Sequence, residues 1–293
     1  MPRHNNNQFR GQILSALKHN RDGAFATQAE RRRILINITK DLVKCGYGRV
    51  TQKNYGGRHA KVLAEYWKSK KISTATIKNR ISHMRWLAEK FGKPTAIPKE
   101  NSQLGIGERT YSDNTKNIAK ELEIDKLSKL SERHQLCLKL QRYFGLRREE
   151  SLKFQPKYAD QGIKIILKAS WCKGGRAREI PIRNQEQRVL IDQCRKISGN
   201  GSMIEKEKSY IQARNLLDKS CQRIRIRHNH GYRHAYAQER YKEITGLNCP
   251  KAGGKTSKEL NEYEKQRDFE ARMIISNELG HGREEITVNY LGR

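Results

Sequence analysis

Apolar residues recur every three or four positions between residues 27 and 92, the spacing that places them on one face of a helix. The last helix of this stretch is predicted to begin after Ser73, a residue type that caps helix N-termini, and to end near Gly92 and Pro94. Its apolar face comprises Ile77, Ile81, Met84, Leu87 and Phe91. Its other face carries Lys78, Arg80, Arg85 and Lys90. The pattern predicts a helical bundle with one apolar side and one cationic side.

The segments that flank this bundle lack its periodicity. Residues 1–9 are polar and are predicted to form a disordered tail. Residues 93–112 contain two prolines and two glycines and show little periodicity, and a linker is predicted at residues 96–112. A helical domain is therefore expected at residues 10–95 and a second domain at residues 113–293. Each of the two is long enough to bury a core of its own.

The second domain begins with helical periodicity, from about residue 113 to Phe144, and then changes to a period of two. Every second residue from Ile163 to Leu167 is apolar, which indicates a short strand. The turn Lys173-Gly174-Gly175-Arg176 leads to a return strand that contains a proline at position 181. Because proline has no N–H to donate to a ladder, this strand is expected at a sheet edge.

The rest of the chain is again mainly helical in pattern. Helices are predicted at residues 184–197, at 208–222, from His230 to Tyr241 and at 267–279. Residues 245–266 are polar and contain a proline and several glycines, so they are predicted to be a loop or insertion at the surface. The fold class that follows is mainly α with a small β-hairpin or sheet, built from an N-terminal helical domain and a mixed α+β second domain.

Lysine and arginine outnumber aspartate and glutamate by 61 to 31 in this 293-residue chain, a formal net charge of +30. Residues 1–100 carry 22 of the basic and 6 of the acidic residues, hence +16, which is more than half of the excess. A surplus of this size predicts a polyanionic partner, and the nucleic acid backbone is the commonest polyanion in a cell. No stretch approaches the roughly 20 apolar residues of a membrane-spanning helix, so no membrane partner is expected.

The six cysteines are widely separated and form no CxxC pair. A disulfide framework or a zinc site needs closer, patterned spacing. Reduced thiols, no bound metal and a cytoplasmic location are therefore expected. The polar N-terminus agrees with this location, because it lacks the apolar core of a secretory signal.

Side chains that could act on a phosphodiester occur in a fixed order along the second domain. They are Arg147, Lys173, His230, Arg233, His281 and Tyr290. Arginine binds phosphate oxygens bidentately, lysine and histidine transfer protons, and tyrosine is a candidate nucleophile. Taken singly, each signal is weak: Lys173 fits an exposed hairpin tip, and His230 fits local packing with His234. Arg148 also competes with Arg147 for the buried position of a charged helix start.

A second set of basic residues is expected to contact nucleic acid. Arg223, Arg225 and Arg227 alternate with isoleucines immediately before the His230 motif. If this segment is extended, the alternation places the three arginines on one face. Together with Arg176 of the hairpin turn and the cationic helix face of the N-terminal domain, they are candidate DNA contacts.

The ordered motifs resemble those of a known family, the tyrosine recombinases or phage-type integrases. The segments that carry the resemblance are Gly145-Leu146-Arg147-Arg148-Glu149-Glu150, His230-Gly231-Tyr232-Arg233 and Leu279-Gly280-His281, followed nine residues later by Tyr290. The combination of Gly-Leu-Arg-x-x-Glu with Leu-Gly-His and a tyrosine at this distance is highly specific. The motifs cover residues 115–293, and residues 10–95 are similar in general character only.

The resemblance implies a site-specific DNA recombinase or integrase, an enzyme of mobile genetic elements. Residues 10–95 would form its core-type DNA-binding domain and residues 113–293 its catalytic domain. The implied roles are Arg147 as first catalytic arginine with Glu150 as its supporting acid, Lys173 as hairpin lysine, His230 and Arg233 as the His-x-x-Arg pair, His281 as second histidine and Tyr290 as nucleophile.

Members of this family cut and rejoin double-stranded DNA through a covalent 3′-phosphotyrosyl intermediate, and the resemblance implies no ATP, metal or other cofactor. Tyr290 would attack phosphorus, His230 would accept its proton, and Lys173 would protonate the departing 5′ oxygen. The resemblance also implies a monomer in solution, a tetramer on two DNA sites, accessory DNA-bending proteins and association with the bacterial nucleoid.

Two features depart from the family pattern, and other functions stay open. The segment between Arg233 and His281 is longer than usual, and only three residues follow Tyr290. The C-terminal contact by which many relatives dock on a neighbouring protomer is therefore expected to be absent, truncated or replaced. The alternatives are a non-catalytic DNA-binding protein of the same fold, a type IB topoisomerase-like or telomere-resolving relative, and a basic RNA-associated protein.

Overall fold

The computed structural model of the protein describes residues 6–109, Asn114 and residues 116–293. The described residues form two compact units, of which the first ends at residue 109 and the second contains Asn114 and all described residues after it. Within this part of the chain, no helix combines the length and the apolar character needed to span a bilayer.

The first unit is a bundle of α1 (Asn7–His19), α2 (Phe25–Lys44), α3 (Gly57–Ser69) and α4 (Thr74–Lys90). Helix α4 follows the pattern predicted for it, because its apolar stripe is buried in the common core of the bundle. The hydroxyl of Ser73 accepts a hydrogen bond from the Thr76 N–H at 3.4 Å and so caps the helix. Residues buried in this stripe are Ile77, Ile81, Met84 and Leu87.

Part of the predicted disordered tail is ordered, because α1 begins inside residues 1–9. The Asn6 side chain donates a hydrogen bond to the carbonyl oxygen of Tyr47 at 2.8 Å. Phe9 is fully buried in the core of the bundle. One aromatic residue among polar neighbours carries little local signal, so long-range packing determines where this helix starts. Residues 1–5 lie outside the described part of the chain.

The predicted linker, residues 96–112, packs against the first unit over much of its length. The guanidinium of Arg85 donates to the Pro98 carbonyl oxygen at 2.9 Å and to Asn101 Oδ1 at 3.1 Å. Apolar residues of this segment are buried in the core of the bundle although they show no periodicity: Ile97, Leu104 and Ile106. At these positions the predicted linker is therefore packed against the bundle. Residues 110–113, which include the predicted domain boundary, lie outside the described residues.

The second unit is also mainly helical, and its described residues contain a two-stranded sheet. The helices are α5 (Ile124–Leu127), α6 (Glu132–Tyr143), α7 (Arg148–Lys153), α8 (Pro156–Ala159), α9 (Gln185–Ser198), α10 (Tyr210–Arg223), α11 (His230–Thr245), α12 (Glu262–Glu278) and α13 (Val288–Leu291). Strands β1 (Lys164–Leu167) and β2 (Arg178–Pro181) pair antiparallel, with Ile165 opposite Ile180. The predicted fold class, mainly α with a small β-hairpin, is confirmed.

Parts of this unit differ from the pattern predicted for them. Residues 116–123 are not helical. The arginine-rich segment before α11 is a turn at the end of α10 and not an extended strand, since Arg225 and His228 have left-handed φ angles of 60° and 56°. Ile226 is nevertheless buried while the arginines at positions 223, 225 and 227 are exposed, so the predicted separation of apolar and cationic sides holds.

A glycine turn between α6 and α7 carries the chain from the core to the candidate site. Gly145 has a φ of 60°, and a Cβ atom there would lie 2.6 Å from Tyr236 Cδ1 and 2.9 Å from Leu279 Cδ2. A side chain would clash with both, so only glycine fits this turn. Its close approach to α11 brings Arg147, two residues later, to the same region as the first turn of α11.

Candidate active site

Tyr290 lies at the centre of the candidate site, on the short C-terminal helix α13. Its side chain is 4% exposed, and its hydroxyl meets two of the other predicted site residues. The Nε of Arg233 donates to the Tyr290 oxygen at 3.2 Å, and Nε2 of His281 lies 3.1 Å from it. Residues separated by 57 and 9 positions thus converge on one phenol oxygen.

Arg233 is buried beneath this hydroxyl in the first turn of α11, with 1% of its surface exposed. Its two terminal nitrogens donate to the carbonyl oxygens of Gly145 and Leu279. Burial, and then the charges of neighbouring arginines against the opposing effect of Tyr290, lower the pKa of Arg233 to about 10. The guanidinium therefore stays charged at neutral pH, and the two carbonyl groups orient it without neutralising it.

Arg147, and not Arg148, occupies the inner position at the start of α7. Arg148 is exposed and forms an ion pair with Asp218, with Nη1 2.7 Å from Oδ2. Arg147 is only partly exposed, and its backbone N–H and its Nη1 donate to Glu150 at 2.6 and 2.8 Å. Glu150 thus caps the helix and fixes the orientation of Arg147 at the same time.

Glu150 is fully buried and accepts hydrogen bonds from a second arginine that the motifs had not indicated, Arg178 of β2. Burial alone would raise the pKa of Glu150, but hydrogen bonds and charge from Arg178, and then the charges of Arg233 and Arg147, lower it to about 2. One signal could have identified Arg178. In the predicted strand it shares a face with Ile180, and an arginine on an inward face needs a buried acid.

The Glu150 carboxylate is expected to make the stability of the fold depend on acid. Its pKa falls from 4.5 to about 2 on folding, so its stabilisation is complete above pH 4.5 and is lost as the pH falls toward 2. At about 1.4 kcal/mol per pKa unit, the loss is about 3 kcal/mol. Urea unfolding between about pH 6 and pH 2 should show this extra loss in the wild type and not in Glu150→Gln. Parallel pH curves for the two proteins would contradict it.

Both predicted histidines lie close to Tyr290. His281 is half-buried, and burial followed by the charges of Arg233, Arg147 and Arg178 lowers its pKa to about 4. Its ring is therefore neutral at pH 7, which leaves a nitrogen able to accept a proton. His230 opens α11 and is exposed, with its ring centre 6.0 Å from that of Tyr290. Partial burial, and then the charges of Arg233 and Arg147, lower the pKa of His230.

His234 packs behind these groups as a buried neutral ring. Its ring centre lies 4.6 Å from that of Tyr290 and 5.3 Å from that of His230. Burial, and then the nearby charges, lower its pKa to about 3. The packing role that the sequence left open for His234 is therefore the one observed, and it supports the ring of Tyr290.

Lys173 is the predicted site residue that the structure does not bring into contact with the others. It is exposed in the hairpin turn between β1 and β2 and has no hydrogen bond or ion pair with another described residue. The turn nevertheless borders the site. Arg176, three residues later, donates from Nη1 to the carbonyl oxygen of His281 at 3.1 Å.

A cationic cavity of about 410 Å³ opens beside Arg147 and His230. Among its described lining residues Asp218 is the one acid, and its carboxylate is paired with Arg148. Arg227 lines the same cavity and is exposed, and Arg223 and Arg225, which precede it in the sequence, are exposed too. The charge of this surface suits it to contact phosphate groups.

The side chains predicted to contact DNA in the first unit are more engaged in contacts within the protein than those of the second unit. The side chain of Arg85 is engaged by Pro98 and Asn101, as described above, and burial lowers its pKa. Arg80 stacks on Trp67, with its guanidinium carbon 4.9 Å from the ring centre. Lys90 pairs with the adjacent glutamate, and Lys78 is half-buried.

The terminal segment that carries Tyr290 is held by residues of the same chain. Arg272 of α12 is buried and donates to the Gly292 carbonyl oxygen at 3.0 Å and to Thr287 Oγ1 at 3.3 Å. Lys251, in the predicted insertion 245–266, donates to the Asn289 carbonyl oxygen at 2.7 Å. The insertion therefore supports α13, and residues from 262 onward already belong to α12.

Comparisons with known proteins agree on one family. A family model described as phage integrase, N-terminal, matches residues 10–97, and one described as integrase matches residues 107–239. No curated protein sequence gives a significant match.

Solved structures with similar folds include the Tn1549 transposon integrase in complex with a circular intermediate DNA, at 14% identity and a TM-score of 0.59, covering 97% of this chain and 94% of that one. Another is the XerH site-specific recombinase bound to a palindromic difH substrate, at 16% identity and a TM-score of 0.58, covering 96% and 80%. At such identities these likenesses show the fold. With both family models matched in order along the two units, the chain belongs to the tyrosine recombinase, or phage integrase, family, whose members are enzymes that break and rejoin DNA.

Proposed function

We propose that the protein is a site-specific DNA recombinase that cuts and rejoins DNA through a 3′-phosphotyrosyl intermediate on Tyr290. The observation that carries this proposal is the position of the Tyr290 hydroxyl between Arg233 and His281. A buried guanidinium whose other hydrogen bonds go to neutral carbonyl groups is poised to bind an anion at that point.

In the proposed reaction, the Tyr290 oxygen attacks the scissile phosphorus while the bond to the 5′ oxygen breaks. Arg147 and Arg233 stabilise the charge that builds up on the non-bridging oxygens. Lys173 donates a proton to the departing 5′ oxygen, which requires its exposed turn to close over bound DNA. Attack by a 5′-hydroxyl from another duplex reverses the step and completes strand exchange without an external energy source.

The contacts favour His281 over His230 as the acceptor of the tyrosine proton. Nε2 of His281 lies at hydrogen-bond distance from the phenol oxygen, and the low pKa of this histidine keeps its ring neutral. His230 has no hydrogen bond to Tyr290 and lies at the rim of the cationic cavity. We propose that His230 binds the phosphate, while its role as proton acceptor stays a prediction from the sequence.

Both units are proposed to contact the duplex, residues 10–95 as the core-type DNA-binding domain and residues 113–293 as the catalytic domain. The net charge of +30 supports this partner, and similar solved structures are complexes with DNA. Phosphate contacts should dominate affinity and make it strongly dependent on salt. Exposed candidates for these contacts are Arg176, Arg223, Arg225 and Arg227, together with the partly exposed Lys78, Arg80 and Lys90.

The finer parts of the proposal concern assembly and place of action. We propose a monomer in solution that forms a tetramer when two DNA sites come together, with DNA-bending proteins as accessory partners. The proposed location is the bacterial cytoplasm, in association with the nucleoid, as expected for an enzyme of a mobile genetic element.

An assay for strand exchange between two DNA sites distinguishes a recombinase from the alternative functions. Two labelled duplexes carrying the element's end sequences should yield recombinant joints with the wild-type protein. Relaxation of supercoiled plasmid without joints would indicate a topoisomerase, and hairpin ends a telomere-resolving enzyme. Binding with no covalent complex on a nicked suicide substrate, in which the cleaved end diffuses away, would leave a non-catalytic DNA-binding protein.

A further inference from the structure

Arg178 connects several segments of the site, and no motif discussed above assigns it a role. It is the first residue of β2 and is 7% exposed. Its Nη1 and Nη2 donate to the two carboxylate oxygens of Glu150 at 2.9 and 2.6 Å. Its Nε donates to the Glu278 carbonyl oxygen at 2.7 Å, and Nη1 also lies 3.2 Å from Cys172 Sγ.

Each of these contacts leads to a proposed catalytic residue. Glu150 orients Arg147, Cys172 precedes Lys173, and Glu278 lies three residues before His281. Gly280, in the same loop as His281, packs directly on the guanidinium. A Cβ atom at Gly280 would lie 3.0 Å from Arg178 Cδ, and the φ of this glycine is 71°. The close approach explains why glycine precedes the histidine.

Arg178 also sets the charge that is available at Arg147. The Glu150 carboxylate accepts from Arg147 and bidentately from Arg178. With two guanidinium groups around one carboxylate, one positive charge remains uncompensated, and Arg147 is the more exposed of the two. Without Arg178, Glu150 would be left with Arg147 as its hydrogen-bonding cation and would neutralise the charge that the phosphate needs.

We propose that Arg178 is a positioning residue for DNA cleavage, which balances the charge of Glu150 and holds the segments of Arg147, Lys173 and His281 in register. The proposal rests on the proposed function, because cleavage is the reaction it serves. It predicts an effect on the chemical step and little effect on DNA binding.

The test measures single-turnover cleavage of a nicked suicide substrate at saturating DNA, with DNA affinity measured separately by anisotropy. Arg178→Met should slow cleavage about 100-fold, the order of effect expected when catalytic groups shift by about 1 Å. The cleavage rate of Arg178→Lys should lie between those of Arg178→Met and the wild type, since a single ammonium group cannot make the two parallel hydrogen bonds of a guanidinium. The matched control is Arg188→Met, which breaks another bidentate pair, to Asp160. It should cleave at the wild-type rate.

A second variant separates charge balance from simple structural damage. Adding Glu150→Gln to Arg178→Met removes the unbalanced carboxylate. The double variant should cleave about tenfold faster than Arg178→Met, because removing both partners of a buried ion pair is less disruptive than removing one. For the same reason, the deficit of Arg178→Met relative to wild type should shrink as the pH falls. Loss of Arg178 removes the strongest cause that lowers the pKa of Glu150, so this carboxyl becomes neutral at a higher pH in the variant than in the wild type. The other titratable or charged groups that face Glu150 are Arg147, Cys172, Arg233 and His281.

The outcomes distinguish this inference from the proposed function itself. If the wild-type protein forms no covalent complex with DNA, the proposed function itself is contradicted. If the wild type cleaves and Arg178→Met, folded by circular dichroism, cleaves equally fast, the inference is overturned. If Arg178→Met does not fold, the cleavage rates of Arg178→Lys and of the double variant Glu150→Gln/Arg178→Met test the inference instead. An Arg178→Lys variant with the cleavage rate and pH profile of the wild type overturns the inference.

Discussion

Replacing Tyr290 by phenylalanine is expected to abolish the covalent protein–DNA complex, with a loss of about 10⁴-fold or more in cleavage. The change removes one oxygen atom, the proposed nucleophile, and keeps the ring that packs against His234. Arg233 keeps its hydrogen bonds to two carbonyl groups, so the phosphate site stays formed. DNA affinity should therefore be almost unchanged. A denaturing gel of the protein with a nicked suicide substrate measures the complex.

Tyr241→Phe is the matched control for this prediction. Tyr241 lies on α11, is buried like Tyr290, and donates its hydroxyl to Asp268 Oδ1 at 2.6 Å. Its hydroxyl contacts no proposed catalytic residue, so the variant should form the covalent complex as the wild type does. An equal band for Tyr290→Phe and wild type would show that another residue is the nucleophile.

Arg233→Lys is expected to lower single-turnover cleavage about 10³-fold, because a preorganised donor to the transition-state charge is worth about that factor. A lysine ammonium cannot reach the phenol oxygen and the carbonyl oxygens of Gly145 and Leu279 together. At least one buried carbonyl would lose its partner, which costs about 2 kcal/mol of stability. Quenched cleavage reactions and urea unfolding measure the two effects.

Arg142→Lys provides the control for replacing a buried arginine. Arg142 is also on a helix of the second unit and is 8% exposed, but its guanidinium pairs with Glu121 and Glu239. This variant should lose stability and keep the wild-type cleavage rate. If Arg233→Lys likewise lost only stability, Arg233 would be a structural residue, and the proposed phosphate site would have to lie elsewhere.

Local sequence patterns predicted the structure correctly where interactions between residues close in the sequence determine it. Helix α4 starts after Ser73 because a hydroxyl satisfies a free N–H, and its apolar stripe follows from helix geometry alone. The hairpin follows from a period of two and a glycine turn. The order of Arg147, Arg233, His281 and Tyr290 was also readable, because the family motifs are short and their spacing is specific.

Long-range pairing could not be read in the same way. Arg178 and Glu150 are 28 residues apart and form their ion pair because two separate segments meet, which no local pattern encodes. The same is true of Phe9, whose burial depends on helices that follow it. Arg85 looked like a free cation on a polar helix face, and its engagement by Pro98 required knowledge of where the following loop folds back.

The assignment of the proton acceptor shows a further limit of motifs. The family resemblance pointed to His230 as the proton acceptor, because motif order carries no information on distances within the site. The choice depends on distances to the Tyr290 oxygen and on neighbouring charges, and these favour His281.

Mass spectrometry of the covalent complex can identify the linkage atom by atom. Wild-type protein is trapped on a suicide substrate, the DNA and protein are digested, and the nucleotide-bearing peptide is sequenced. We expect the nucleotide on the peptide that contains Tyr290, joined through its 3′-phosphate to the phenol oxygen. A nucleotide on another residue, or one attached through a 5′-phosphate, would contradict the proposed chemistry.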